Sequence, residues 1–397
     1  MPEPPSLPSH DASAIEAERL ECRIVTLTHY LPSYMARVLF YTSQHVRDFR
    51  ILLSIEQEPN RQFGDTWSGL NVAVQKSLML KRPWKHGAGF QDELYVHFPY
   101  DTWTQLRRAA PDVVFSFELG FRSLVSALYC KIYRKKLALG VFMSEHTEQG
   151  RGVARWLLRR MLLRSADAVT YNGPSCRAYL KRFRISEEKL FHFPYASSDQ
   201  FCYTGAVRRA QVADKRLLCV GQLTERKGVL PLLDALIAYC QLRPQQLVEI
   251  DFIGTGNLEH ELRQRQLPPN LRVGFRGFLS YTGISQAMEQ AGVMIFPTLA
   301  DEWGLVVNEA MQAGMLVLGS KYSQAATSLI REGENGWLYR PDQPQQLEAK
   351  LDQLFACDPE RLETMRLTAQ ATVRHITSQN VALLATKMFR TLTTRSS

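Results

Sequence analysis

The chain has 397 residues, long enough for two domains, and a globular composition of 45% hydrophobic and 22% charged residues. Its formal net charge of +9 favours anionic partners, whether phosphates, nucleic acid or an anionic membrane surface. The seven cysteines are scattered, with no CxxC or His-rich spacing, which excludes a disulfide framework or zinc site and reads as buried or free thiols in a reducing compartment.

Residues 1–20 are rich in Pro and Ser, carry acids and lack an apolar core. They read as a disordered lead-in, neither signal peptide nor anchor. No uncharged apolar run is long enough for a spanning helix, so a soluble or peripheral protein is expected. Strand-like runs follow at 21–32, 47–55, 112–120, 136–146, 167–173 and 189–196, with helical stretches expected between them. A polar stretch at 201–214 reads as a linker. A second series occupies 215–223, 247–257, 270–279, 291–298, 315–321 and 333–341. Apolar strands alternating with helices predict an α/β fold of two Rossmann-like doubly wound domains facing a cleft, over 21–200 and 215–372. Residues 373–397 are expected to form a helix returning to the first domain. Ligands of open α/β sheets bind outside the carboxyl ends of the strands, which directs attention to loops 221–228, 254–257, 277–284 and 298–305.

GQLTERKG (221–228) follows a strand and opens a helix. Gly221 permits a tight turn, while Arg226 and Lys227 place positive charge beside free N–H groups, which suits a phosphate. The alternative is a solvated basic loop. IGTGN (253–257) has only part of a dinucleotide fingerprint, because Glu259 stands where a third glycine belongs. Gly254 and Gly256 read instead as a strand end approached closely by a ligand or a neighbouring element. PTLADEWGLVVNEAMQAG (297–314) is strand end, loop and helix. Gly304 lets backbone amides approach an anion, and Glu309 lies more than one turn on, in a helix apolar on most faces. Asp301 and Glu309 either cap a helix and meet solvent, or point together into the cleft; a buried Glu needs a partner. SEHTEQGR (144–151) ends a strand and offers Glu145 and His146. RGVARWLLRRMLLRSADA (151–168) reads as a basic amphipathic helix. Either Arg151, Arg155, Arg159 and Arg160 attract an anionic membrane, or they form a wet face over an apolar side packed on the sheet.

VGQLTERKG, FIGTGN, VGFRGF, PTLADEWGLVVNEAMQAG and ATSLIREGENGWLY run in order over roughly residues 215–350. Together they resemble the GT-B retaining glycosyltransferases of family 4. Asp301 stands for the first acid of that family's E-x7-E pattern and Glu309 for the second. Gln222 occupies the place where an Arg often stands. The resemblance implies transfer of a sugar from a nucleotide-sugar donor to an acceptor hydroxyl with retained configuration, in polysaccharide or lipid-linked glycan biosynthesis. It implies donor contacts from Gly221, Arg226, Lys227, Gly254, Gly256, Gly277, Trp303, Gly304, Leu305 and Glu309. Catalytic roles fall to Asp301, Glu309 and Lys227, with His146 or Glu145 from the first half. No Asp-x-Asp motif stands at a suitable strand end, so no metal or other cofactor is expected. The basic residues are dispersed without a recognition motif, so no nucleic-acid partner is expected. The expected partners are a nucleotide-sugar, a glycan or lipid-linked acceptor, and an anionic membrane surface through residues 151–164. The setting is cytoplasmic, at the inner face of the membrane. A GT-B epimerase or phosphorylase, or an inactive sugar-nucleotide-binding protein, would share this pattern.

Overall fold

The computed structural model describes residues 19–56, 67–197 and 215–394. The linker at 201–214 lies outside the described residues, as does the lead-in up to residue 18. Leu20 already belongs to the first strand.

The first sheet has seven parallel strands: β1 (Leu20–Thr28), β2 (Val46–Leu53), β3 (Val72–Val74), β6 (Val113–Ser116), β7 (Lys136–Val141), β8 (Ala168–Tyr171) and β9 (Leu190–His192). Their order is β3-β2-β1-β6-β7-β8-β9. The second sheet has six parallel strands: β10 (Leu217–Val220), β11 (Val248–Ile253), β12 (Leu271–Gly277), β13 (Val293–Phe296), β14 (Leu316–Ser320) and β15 (Gly336–Tyr339). Their order is β12-β11-β10-β13-β14-β15. The central strands are short and apolar, and every residue of β6, β13 and β14 is buried. Helices cover both faces, as parallel sheets require. Each sheet reverses its order once, between β1 and β6 in the first and between β10 and β13 in the second. These are the switch points at which doubly wound folds hold ligands.

The region between β3 and β6 departs from expectation. It holds an antiparallel hairpin, β4 (Ser77–Lys85) and β5 (Gln91–Pro99), before a short helix. Pro83 argues against a strand in the sequence. It is tolerated because a two-stranded hairpin has no central strand.

One hydrophobic core spans both sheets. It takes Phe115 from β6, Met294 from β13, Val317 from β14 and Phe389 from the last helix, Ser378–Thr394. That helix packs on the helix Ser33–Gln44 and on β6, and Phe389 meets Phe115 with ring centroids 5.8 Å apart. Each such side chain contributes about 1.5–3 kcal/mol on full burial, so the C-terminal helix straps the second half to the first. Among the described residues no helix is long and apolar enough to cross a membrane.

Candidate functional site

The carboxyl-end loops of the two sheets face each other. After β1, Ser33 Oγ lies 3.2 Å from the Tyr281 hydroxyl. After β7, the Gln324 amide donates to the Phe142 carbonyl at 2.6 Å and His146 Nε2 lies 2.7 Å from the Leu299 carbonyl. After β8, the Asn172 amide donates to the Glu302 carbonyl at 3.0 Å.

On the second sheet, the two loops flanking the switch point are laced together. A 3-10 turn, Glu225–Lys227, ends at Gly228, whose φ of 66° is left-handed. A Cβ there would stand 2.2 Å from the Pro297 carbonyl oxygen, so only glycine fits. The Leu299 N–H donates to the Arg226 carbonyl at 2.8 Å, and the Thr298 hydroxyl to the same carbonyl at 3.2 Å. This brings the Lys227 ammonium into an ion pair with Asp301, and Arg226 Nη1 lies 3.7 Å from the same carboxylate. Burial pushes the Asp301 carboxyl up, but Lys227 and Arg226 outweigh it and hold it below the ordinary carboxylate value.

The helix Leu305–Gln312 starts at Gly304 (φ 97°) and stops at Gly314 (φ 65°). Its first-turn N–H groups, Leu305 and Val306, have no acceptor within the helix and open on the same loop. Glu309 is 8% exposed, and burial raises its carboxyl to about 7. No hydrogen bond to that carboxylate is recorded among the described residues. A buried acid with its oxygens uncompensated suits a ligand's hydroxyl pair.

The remaining sequence-predicted residues divide. Gly221, Gly254 and Gly256 pack loop on loop: a Cβ on Gly254 would stand 2.0 Å from the Gly221 carbonyl oxygen, and one on Gly256 2.2 Å from that of Leu223. Gly277 turns the chain after β12, its N–H partner loop being tied by the Gly254 N–H to the Gly277 carbonyl at 2.8 Å. Trp303 is buried at the junction of the halves, stacked on Tyr195 and donating to Asn308 Oδ1 at 2.8 Å. His146 reaches the loop after β13 and lies flat on Tyr322, with centroids 4.3 Å apart. Glu145 does not join it: its side chain is 70% exposed and pairs with Arg182.

At the first sheet's switch point sits a polar group of which sequence reasoning finds Glu118, at the end of its strand, but not His29 or Arg122. Arg122 is fully buried and donates to Glu118 Oε2 at 3.1 Å. His29 Nε2 lies 3.2 Å from the same Glu118 oxygen, and Arg122 Nη2 lies 3.4 Å from His29 Nδ1. Dry surroundings pull His29 down to about 4, so it is neutral at pH 7, and the network assigns its proton to Nε2. Glu118 and Arg122 are four residues apart and only His29 is distant in sequence, but both segments follow the carboxyl end of a strand, which is the signal that could have found them.

The helix Val153–Ser165 corrects the reading of a single arginine stripe at Arg159, while Arg151, Arg155 and Arg160 are half-buried. Arg159 is 1% exposed and pairs with Glu148. Arg151 stacks on Trp84 of the hairpin at 3.7 Å. The outward stripe is apolar instead: Val153, Trp156, Leu157 and Met161 are exposed, flanked by Arg160 and Arg164. The helix rotates this way because Leu162 and Leu163 must enter the core.

Comparison with known proteins agrees with this geometry. The family described as Glycosyl transferases group 1 matches residues 214–357. A GalNAc-alpha-(1->4)-GalNAc-alpha-(1->3)-diNAcBac-PP-undecaprenol alpha-1,4-N-acetyl-D-galactosaminyltransferase of Campylobacter jejuni is 24% identical over 251 residues, 62% of this chain and 68% of that protein. An alpha-D-kanosaminyltransferase of Streptomyces kanamyceticus is 22% identical over 223 residues, 54% of this chain and 57% of that one. Among solved structures, Anabaena Alr3699/HepE in complex with UDP superposes with a TM-score of 0.69 at 17% identity, over 93% of this chain and 100% of that one. The chain therefore has the two-domain GT-B fold of glycosyltransferases, with the group 1 glycosyltransferase match in its second half.

Proposed function

We propose that the protein transfers a sugar from a nucleoside-diphosphate donor to a hydroxyl of a glycan or lipid-linked acceptor, with retention of anomeric configuration, as a family 4-like enzyme. The observation that carries this reading is the Lys227–Asp301 ion pair, with Arg226 beside it, at the second sheet's switch point, followed by a helix that holds the buried Glu309. Breaking the sugar–phosphate bond concentrates negative charge on the leaving diphosphate. The Lys227 ammonium, the Arg226 guanidinium and the first-turn amides of the helix Leu305–Gln312 stabilise that charge electrostatically. Asp301 accepts hydrogen bonds from sugar hydroxyls, and Glu309 from the donor ribose. The acceptor is assigned to the first sheet's switch point, where His29, Glu118 and Arg122 meet. Retention is what the resemblance of residues 297–314 to the family 4 pattern implies. The charge stabilisation is assigned to side chains and amides, so turnover should survive a chelator.

Uridine is the proposed base, because the Anabaena neighbour was solved with UDP and with UDP-glucose. The lipid-linked acceptor is supported by the name of the Campylobacter relative. A thermal-shift screen of UDP-, GDP- and ADP-sugars tests the donor. A UDP-sugar should raise the melting temperature, because a ligand of the native state alone stabilises it, and Glu309→Gln should diminish that rise. No response to any nucleotide would contradict the assignment.

A further inference from the structure

The β4–β5 hairpin belongs to neither parallel sheet, and a two-stranded hairpin alone is marginal in water. This one is held by its tip. His86 and Phe90 are each 2% exposed, although such tips ordinarily meet solvent. The His86 ring stacks on Phe90 with centroids 4.7 Å apart and meets Trp84 edge-on at 5.2 Å. The tip packs on the loop after β7, which carries His146. There Arg151 stands over the Trp84 ring at 3.7 Å, and a Cβ on Gly150 would come within 3.1 Å of the Lys85 carbonyl oxygen. β5 also runs beside the turn Glu225–Lys227 of the second half.

The hydrogen bonds of His86 fix its chemical state. Its Nδ1 accepts from the Ala88 N–H at 3.0 Å, so its proton sits on Nε2, which donates to the His146 carbonyl at 2.9 Å. Burial lowers its pKa and so favours the neutral ring that both bonds require. The two imidazoles also touch, edge to face, with centroids 5.0 Å apart. From there the run continues: His146 Nε2 donates to the Leu299 carbonyl at 2.7 Å, and the Leu299 N–H donates to the Arg226 carbonyl at 2.8 Å. Hairpin tip, His146 and the Arg226–Lys227 turn are thus joined by one series of hydrogen bonds that crosses from the first half to the second.

We infer that His86 is a positioning residue for sugar transfer: from the hairpin tip it holds the His146 backbone, and so sets that imidazole against the loop that carries Asp301. A bonded carbonyl and an edge-on ring leave His146 little freedom, and a misplacement of about 1 Å in a reacting constellation costs on the order of 10²-fold in rate. The inference rests on the transferase reading in naming the reaction and in taking His146 as its first-half participant. The hydrogen-bonded series does not depend on that reading.

The test uses the full chain. His86→Leu removes the donor and keeps an apolar body between Trp84 and Phe90, while His86→Gln returns an amide N–H near the place of Nε2. UDP-sugar turnover should fall about tenfold or more in His86→Leu and be largely restored in His86→Gln. UDP, which brings no sugar to His146, should bind both variants as it binds the wild type. On the residual turnover of His146→Ala, adding His86→Leu should cost nothing further, because its effect passes through that ring. Full turnover in His86→Leu, or an equal loss with and without the His146 ring, would overturn the inference. A second arm needs no activity. In isotope-labelled histidine spectra the His146 ring signal, displaced by the Tyr322 ring 4.3 Å away, should move in His86→Leu and stay in His86→Gln. An unmoved signal in His86→Leu would overturn the positioning. A signal that moves as stated in a protein that turns over no donor would sustain the positioning and sink the transferase reading alone.

Discussion

Lys227 and Asp301 form an ion pair across the switch point of the second sheet, with side chains only 17% and 16% exposed. Removing the ammonium leaves the carboxylate with Arg226 Nη1 at 3.7 Å. Lys227→Ala should cost about 2–3 kcal/mol in urea unfolding, somewhat less than for a fully buried pair. Turnover should fall by about 10²-fold or more, the scale of losing one charge-stabilising group. Adding Asp301→Asn should restore stability but not turnover. Equal stability of the single and double variants would show that the pair is not structurally coupled. The sign for acid follows: Asp301 is held below its ordinary value, so its contribution is present above that ordinary value and lost as pH falls through the folded one. Lys227→Ala should therefore unfold at higher pH during acid titration.

Glu309 works in the opposite direction. Its carboxyl rises from 4.5 to about 7 on burial. The native state therefore favours the proton, and this stabilisation is full below about pH 4.5 and lost as pH rises through about 7. The loss is about 3 kcal/mol, and Glu309→Gln should flatten that part of the stability–pH curve. A ribose diol requires the carboxylate as acceptor, so UDP affinity should be about tenfold weaker at pH 6 than at pH 8. Calorimetry in buffers of different ionisation enthalpy should detect the proton released. Affinity independent of pH across this range would remove Glu309 from the nucleotide site.

Two glycines separate packing from conformation. At Gly254 (φ 128°) a Cβ would meet the Gly221 carbonyl oxygen at 2.0 Å, whereas at Gly277 (φ 65°) it would meet nothing within 4 Å. Gly254→Ala should displace the 221–223 loop, cost about 2 kcal/mol or more and weaken nucleotide binding. Gly277→Ala should cost about 1 kcal/mol, the left-handed penalty alone. Denaturant midpoints measure both, and the reverse ranking would contradict the loop contact.

With Arg159 buried, the apolar outward stripe of the helix Val153–Ser165, flanked by Arg160 and Arg164, is the part of the helix to test for a membrane contact. Leu157→Ser with Met161→Ser should reduce sedimentation with anionic vesicles. Arg160→Glu with Arg164→Glu should make the remaining binding weaker and less salt-sensitive, each cation contributing about 1 kcal/mol near such a surface. Unaltered sedimentation in both variants would leave the stripe without a membrane role.

Much of this architecture was legible because period and punctuation agree. Runs such as LLCVG and VMIFP are apolar, short and closed by Gly or Pro, and they lie where β10 and β13 end. Local chemistry also placed Lys227 and Asp301 on adjoining loops. The hairpin was missed because Pro83 interrupts its first strand, although its antiparallel pairing with β5 is local. The direction of Arg151, Arg155 and Arg159 was hidden for a different reason. Leu157 and Leu158 fit an apolar inward face as well as Leu162 and Leu163 do, and only the second pair is buried to 1% or less. Similarly, His29 meets the local Glu118–Arg122 pair only through the pairing of β1 with β6, which no local pattern encodes.

The central claim is that the Lys227–Asp301 pair, together with Glu309 in the helix that follows, serves cleavage of a nucleotide-sugar. The most direct measurement is release of UDP from UDP-sugars, with and without a diphosphate-lipid acceptor, by the wild-type chain and by Lys227→Ala, Asp301→Asn and Glu309→Gln. The account predicts acceptor-stimulated release by the wild type, reduced at least tenfold in each variant that remains folded. UDP binding with no release from any donor, or release at the wild-type rate in all three variants, would contradict it.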